Sequence, residues 1–325
     1  MKAVVCRELG GPEHLMIEDC PRPTPNAGEV LIQTTSAGIN FPDTLQIAGR
    51  YQTRLDPPFV PGAEVAGRVV EVGTGVKRLK VGDAVAALLP TSGGFAEFAK
   101  VNAALCLSLP AQLDLKDAGG FPLVYGTVLH ALRQRGQLQP GETLLVLGAS
   151  GGVGLAAVQV GKLLGARVLA AASTSAKREL CLQHGADEVV DYAKLSLKDE
   201  VKRLTGKHGA DVIFDPVGDR YARDCLSSLA WKGRWLIIGF AGGEIPAIPA
   251  NLLLLKGAAA VGVFWGSFAG REPAINAENF AQLFTWVAAG RLRPVVSHHY
   301  PLAQAGQALR DMLERRVTGK IVLVP

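Results

Sequence analysis

One segment of this chain is composed to bring a backbone close to a ligand: Gly148-Ala149-Ser150-Gly151-Gly152-Val153-Gly154. Read as Ala149-x-Gly151-x-x-Gly154, it follows the apolar run Thr143–Leu147 and opens the helix-length segment Val153–Leu164. Small residues between a strand and a helix let the chain approach a pyrophosphate. The helix N-terminus then turns unpaired N–H groups and a positive dipole end toward that anion. A bare glycine pattern carries little weight, but with a strand before it, a helix after it and further βα units beyond, it reads as a dinucleotide fingerprint with alanine in the first slot. The competing reading is a structural glycine turn.

The choice of dinucleotide is read about 20 residues on, where an acid would hold the ribose hydroxyls of NAD. The chain has Ala170-Ala171-Ala172-Ser173-Thr174-Ser175-Ala176-Lys177-Arg178 there, with no acid. The hydroxyls of Ser173 and Thr174 and the cation of Lys177 suit a 2′-phosphate through charge-assisted hydrogen bonds. Tyr192, at the end of the following strand, is a second partner. Lys177 as a mere solvated helix residue is the plain alternative. The expected cofactor is NADPH rather than NADH.

The elements that must position these residues come in two textures. Up to about residue 120 the chain is β-rich, with Val30–Thr35, Val65–Val72 and Ala84–Leu88 punctuated by Pro57-Pro58, Pro61-Gly62 and Val81-Gly82-Asp83. Short strands without helical periodicity between them imply a compact barrel or sandwich. From Thr143 the strands Thr143–Leu147, Arg167–Ala172, Glu188–Asp191, Asp211–Asp215, Arg234–Gly239 and Ala259–Trp265 alternate with the helices Val153–Leu164, Ala176–His184, Leu197–Thr205 and Tyr221–Leu229. Such repeats predict a doubly wound parallel sheet, and the fold class is α/β. The tail adds helices over Phe280–Ala289 and Ala303–Glu314, and a strand, Lys320–Val324, that has no partner in the βα series and is expected to close on the first module.

Composition narrows the setting. With 325 residues, 48% apolar and 19% charged, the chain is long enough for two domains and too apolar for disorder. The net charge of +5 is spread rather than striped, so no nucleic-acid partner is expected. The uncharged run Thr143–Gly161 is broken by clustered glycines and is not expected to span a membrane. The cysteines Cys6, Cys20, Cys106, Cys181 and Cys225 are odd in number and contain no C-x-x-C pair, which argues against disulfides or structural zinc. With no secretory leader in Met1–Glu8, a cytoplasmic location is expected.

These motifs resemble the zinc-independent medium-chain dehydrogenase/reductase superfamily, and within it the NADPH:quinone oxidoreductase family. The resemblance spans nearly the whole chain. It is carried by Ala37-Gly38-Ile39-Asn40-Phe41-Pro42-Asp43-Thr44-Leu45, Gly49-Arg50-Tyr51, Pro61-Gly62-Ala63-Glu64-Val65-Ala66-Gly67, Val81-Gly82-Asp83 and Gly148–Gly154. Gly185-Ala186-Asp187, Phe214-Asp215-Pro216-Val217-Gly218 and Asn251–Lys256 add to it. It implies a GroES-like catalytic domain, residues 1–123 completed by 268–325, interrupted by a Rossmann domain at 124–267.

In similar alcohol dehydrogenases a Cys after the Ala-Gly pair, a His after the Pro-Gly pair and a later Cys hold catalytic zinc. Here Asn40 and Ala63 stand at the first two places, and no cysteine occurs around Ala118–Phe121. The four-cysteine lobe is replaced by Thr91-Ser92-Gly93-Gly94-Phe95. Three N, S or O ligands with an open position are not available, so no metal is expected. His298-His299 would point to opposite faces of a strand, which suits a surface or packing role.

Without zinc to polarise a carbonyl, the substrate must already accept hydride well: a quinone or, alternatively, an α,β-unsaturated ketone or enoyl thioester. A non-catalytic nucleotide- or RNA-binding protein is the distant alternative. The resemblance implies that Asn40, Asp43 and Tyr51 face the nicotinamide as catalytic candidates. Tyr51 would donate a hydrogen bond or proton and Asn40 would position an amide or oxygen; for each, a turn or hydrogen-bond anchor is the bland reading. The expected cofactor-binding set is Ser150, Gly151, Gly152, Val153, Ser173, Thr174, Lys177 and Tyr192, together with Thr127, Phe240, Phe264 and Lys320. Finally, Gly257–Gly266 reads as the last strand of the sheet, and an apolar edge without lysine or proline invites pairing. A homodimer through Ala259–Phe264 is expected.

Overall fold

The computed structural model describes residues 1–90 and 92–325. Thr91, in the stretch that stands for the four-cysteine lobe, lies outside the described residues. The chain divides into two compact units, Met1–Leu123 with Phe284–Pro325, and Val124–Leu283.

In the first unit, β1 (Lys2–Cys6) and β2 (Leu15–Asp19) form a small antiparallel sheet. There follow β3 (Glu29–Gly38), α1 (Phe41–Ile47), β4 (Glu64–Val72), β5 (Ala84–Leu88), β6 (Phe98–Asn102), β7 (Cys106–Ser108) and α2 (Leu115–Ala118), and then α3 (Pro122–Leu129), which crosses the unit boundary. The second unit continues with β8 (Thr143–Val146), α4 (Gly152–Leu163), β9 (Arg167–Ala171), α5 (Ser175–Gln183), β10 (Glu188–Val190), α6 (Leu197–Leu204), β11 (Ala210–Asp215), α7 (Ala222–Ser228), β12 (Leu229–Ile237), α8 (Ala250–Lys256), β13 (Ala259–Gly262), α9 (Trp265–Arg271) and most of α10 (Pro273–Ala288). The chain then returns to the first unit with β14 (Val296–Pro301), α11 (Ala305–Leu313) and β15 (Lys320–Val324).

The main sheet of the first unit runs β14-β15-β3-β4-β5-β7, with β6 also paired to β3. The tail strand does close back on the first module: Val322 pairs with Gly38 and Leu323 with Ala37. Val30, Ile32, Val65, Val69 and Val85 are fully buried in its core. In the second unit the all-parallel order is β10-β9-β8-β11-β12-β13. Leu144, Leu145 and Val146 are all sealed from solvent because helices cover both faces. The order reverses between β8 and β11, which is where a doubly wound sheet opens a crevice at its strand ends.

Three boundaries differ from the sequence reading. The return to the first unit falls inside α10 rather than at 268. Asn276 and Asn279, in the first half of that helix, bond Trp265 and Gln134 of the second unit, whereas Phe284 stacks on Phe121 of the first at 5.6 Å. Strand β13 also stops at Gly262, and Trp265 begins a helix instead of ending a strand. Its indole is buried against Gly126, where a Cβ would come within 2.5 Å of Trp265 Cζ2, and its N–H bonds Asn276. Trp231–Gly233, expected before the strand, belongs to β12, where the register slips between Ala210 and Val212.

Strand β13 is at the sheet edge, as expected. The edge is not bare: Arg135, on the π-helical turn after α3, donates to the Gly262 carbonyl at 3.1 Å. His298 and His299 are both exposed, with His299 Nε2 2.7 Å from Asp117 Oδ1 and His298 Nδ1 3.1 Å from Ser297 Oγ.

Candidate active site

The glycine-rich loop takes the shape its sequence requires. Gly148 leaves β8 with φ +57°, a conformation that favours glycine. Gly154 lies so close to the strand end that a Cβ there would come within 2.3 Å of the Gly148 carbonyl oxygen. That contact is the tight helix-on-strand packing expected of the last glycine in the fingerprint. Gly151 caps α4 without a side chain, so nothing of the loop's own fills the helix's positive end. Ser150 is buried, and Gly151, Gly152 and Val153 line the opening turn. Across the switch point, Asp215 ends β11 and accepts the N–H groups of Val217 (2.8 Å) and Gly218 (2.9 Å) and the Trp235 indole N–H (3.0 Å). Burial pushes its carboxyl above the usual range. This pins the loop so that Val217 touches Gly148 and Phe240 packs over Gly218.

At the end of β9 the structure keeps the hydroxyl-and-cation character of the sequence. Thr174 is the N-cap of α5 and accepts the Lys177 N–H at 3.3 Å. The neighbouring cation is committed elsewhere: Arg178 pairs with Asp191 at 2.8 Å. Tyr192 meets Tyr221 edge-on at 4.9 Å, and the Arg220 guanidinium lies over Tyr221. Thr127 is half-buried on α3, and Phe264 is 60% exposed just beyond β13.

In the first unit, Asn40, Glu64 and Lys320 form one buried cluster. Lys320 Nζ donates to Asn40 Oδ1 (2.5 Å), to the Ile39 carbonyl (2.8 Å) and to Glu64 Oε1 (2.9 Å). Asn40 Nδ2 donates to the same Glu64 Oε1 (2.9 Å) and to the Gly38 carbonyl (3.3 Å). The second carboxylate oxygen of Glu64 accepts the Leu123 N–H at 2.8 Å, in the first turn of α3. Lys320, named from the sequence as a cofactor contact, thus spends its three N–H donors within this unit.

Glu64 was missed. The signal for it was an acid opening the apolar strand Glu64-Val65-Ala66, since a buried carboxylate needs a cationic partner. The glycines explain how the cluster fits. A Cβ on Gly38 would sit 2.3 Å from Glu64 Oε1, and one on Gly120 would sit 2.6 Å from Lys320 Cγ.

Asp43 lies at the third position of α1 and accepts the Asn40 N–H at 2.7 Å. It is buried, and loss of solvent raises its carboxyl to about 7, the Lys320 charge opposing that rise and the Glu64 charge adding to it. Burial and the Asp43 charge push the Tyr51 phenol up as well. Of the three expected catalytic residues, Asn40 and Asp43 are brought together directly, and Tyr51 joins them through Asp43's field.

Zinc does not fit this arrangement. Ala63 offers no donor, and the oxygens of Asn40 and Glu64 are turned onto an ammonium. Among the described residues no group of three or more His, Cys, Asp or Glu side chains is placed to hold a metal ion.

Two family models match the chain. One, described as alcohol dehydrogenase GroES-like domain, covers residues 26–111, and the other, described as zinc-binding dehydrogenase, covers 152–288. A quinone oxidoreductase-like protein 2 homolog from Nematostella vectensis is 39% identical over 99% of this chain and 88% of its own length. The chain belongs to the quinone oxidoreductase family. Quinone oxidoreductase from Sus scrofa is 34% identical, over 100% of this chain and 98% of its own. Escherichia coli quinone oxidoreductase, solved in complex with NADPH, superposes with TM-score 0.94 at 28% identity over 100% of both chains. As a family member the protein is an oxidoreductase enzyme of the medium-chain dehydrogenase/reductase superfamily, with GroES-like and Rossmann units. Among the described residues no helix is long and apolar enough to cross a membrane.

Proposed function

We propose that the protein is an NADPH-dependent reductase of quinones. The observation that carries this is the second unit's loop: an uncapped helix N-terminus behind a tight glycine turn, with hydroxyls and Lys177 where an NAD enzyme has an acid. The NADPH in the related E. coli structure supports the same choice. When bound, NADPH supplies the hydride, and the protein's part is orientation and electrostatics.

In this reading Ser150, Gly151, Gly152 and Val153 hold the pyrophosphate, and Ser173, Thr174, Lys177 and Tyr192 hold the 2′-phosphate. Thr127, Phe240 and Phe264 bound the rest of the cofactor. Tyr51, kept protonated by burial and by Asp43, is the hydrogen-bond donor to the acceptor oxygen. Asn40 orients the reacting partner, and Asp43 fixes the backbone of Asn40. Because the residues at the zinc-ligand places offer no metal site, carbonyl polarisation is weak, which favours an acceptor that is already electron-poor.

A two-fold pair of chains joined along β13 belongs to the same proposal. Val263 N–H bonds Ile237 inside the sheet, so strand alternation turns the N–H groups of Ala260 and Gly262 to the open edge. Leu254 and Leu255, on the helix that precedes it in the chain, and Phe264, just beyond its end, are exposed. Arg135 must release the Gly262 carbonyl for the strands to pair.

The test is NADPH consumption with naphthoquinones, simple enones and crotonyl-CoA compared at equal enzyme. Quinones are expected to give the highest kcat/KM. Faster turnover of enones or of the thioester would overturn the quinone assignment, and no turnover of any acceptor would overturn the enzyme reading.

A further inference from the structure

The Lys320–Glu64 pair is out of proportion to any stabilising task. The side chains are 7% and 0% exposed. Burying two charges costs several kcal/mol per ion before their attraction is counted, and apolar replacements often leave a protein as stable or more so. The pair nevertheless has room made for it by Gly38 and Gly120. All three ammonium donors and both carboxylate oxygens are engaged, and two of these bonds fall on the two poles of one side chain, the Asn40 amide.

We infer that Glu64 and Lys320 are positioning residues for the reduction: the ammonium holds Asn40 Oδ1, the carboxylate holds Asn40 Nδ2, and together they lock the amide in one orientation. This rests on the reading of Asn40 as a residue that meets the reacting partner. An unrestrained asparagine amide turns over easily, because its two ends are alike in shape. Here a half-turn would set the carbonyl oxygen against a carboxylate and the NH2 against an ammonium, and would forfeit two charge-assisted hydrogen bonds.

The locked amide has little left to offer. Both Nδ2 hydrogens are directed at Glu64 and Gly38, while Oδ1 takes the Lys320 ammonium and faces the Asp43 N–H across the capping box. Only the carbonyl end of the locked amide can serve a partner, and that partner is a donor, of the class of a carboxamide N–H or a phenolic O–H. Lys320, with its three donors filled by Ile39, Asn40 and Glu64, acts through Asn40 and not on a phosphate.

The experiment compares wild type with Glu64→Gln, Lys320→Met and the double variant by urea midpoint, steady-state kinetics and hydrogen exchange of the Asn40 side-chain NH2, identified by its loss in Asn40→Ala. Each single variant leaves a buried charge uncompensated and is expected to lose both stability and kcat. The double variant is expected to regain most of the midpoint while its kcat stays down roughly tenfold, with the KM for NADPH changed by less than about twofold. Its Asn40 NH2 is expected to exchange much faster than in wild type. A double variant with wild-type kcat, or with an unchanged Asn40 exchange rate, would overturn the inference. So would Lys320→Met raising the KM for NADPH at constant kcat, which would return Lys320 to the cofactor. If wild type turns over no acceptor, the proposed function fails while the exchange comparison still decides whether the pair locks Asn40.

Discussion

Replacing Asp43 by asparagine tests the electrostatics of the first unit without altering its shape. The substituted amide keeps an oxygen for the Asn40 N–H and carries no charge at any pH. In the folded protein the Asp43 carboxyl is raised from 3.8 to about 7 by burial. Folding therefore favours its protonated form. The stability associated with it is fully present below the unfolded value near 3.8 and is lost as pH rises through about 7. A shift of about three units corresponds to about 4 kcal/mol if fully expressed, at about 1.4 kcal/mol per unit. Relaxation around the carboxylate reduces this, and about 2–4 kcal/mol is expected. Urea unfolding of both proteins at matched pH across that window is the assay. Other carboxylates contribute equally to the two, so the difference isolates Asp43. The asparagine variant should gain on wild type steadily as pH rises, and lead by that amount once Asp43 is ionised. A difference that stays constant across the window would refute the argument, because Asp43 would then titrate alike in the folded and unfolded chains.

Four further outcomes are expected. Lys177→Ala should raise the KM for NADPH far more than that for NADH, by about 1.5–3 kcal/mol of lost phosphate contact, or roughly ten- to hundredfold in steady-state rates. Gly154→Ala forces a Cβ to within 2.3 Å of the Gly148 carbonyl, so it should cost about 1–3 kcal/mol in urea unfolding and weaken NADPH binding by fluorescence titration. Dialysis against EDTA should leave turnover unchanged, and elemental analysis should find zinc well below one per chain. Ala260→Pro removes an outward N–H without breaking the ladder to β12, so, if the proposed pair forms along β13, light scattering should show dimers for wild type and monomers for the variant.

The βα series was legible because both of its signals are local. Apolar runs such as Leu144–Val146 and the glycine turn at Gly148–Gly154 identify themselves within a dozen residues. Strand ends were harder: Trp265 is as apolar as the strand before it, and only its packing on Gly126 makes it the start of a helix. The site in the first unit was half legible. Asn40 and Asp43 stand in a recognisable motif, but what Asn40 touches depends on Lys320, 280 residues away. No spacing rule reaches that far. The pairing emerges only when β15 is laid against β3 and the glycines at 38 and 120 leave space for it.

That separation orders the events of folding. The second unit is one continuous stretch of chain, made whole before Lys320 exists, whereas Asn40 and Glu64 are among the first residues to leave the ribosome. Domains generally form as units during synthesis, in the order in which their segments appear. The nucleotide-binding unit thus has everything it needs first. The older half of the molecule waits with Glu64 bound for an apolar interior and no counter-charge to accompany it. Arrival of β15 supplies the missing strand and the missing cation in a single step, so the buried Asn40 cluster is the last part of the chain to close.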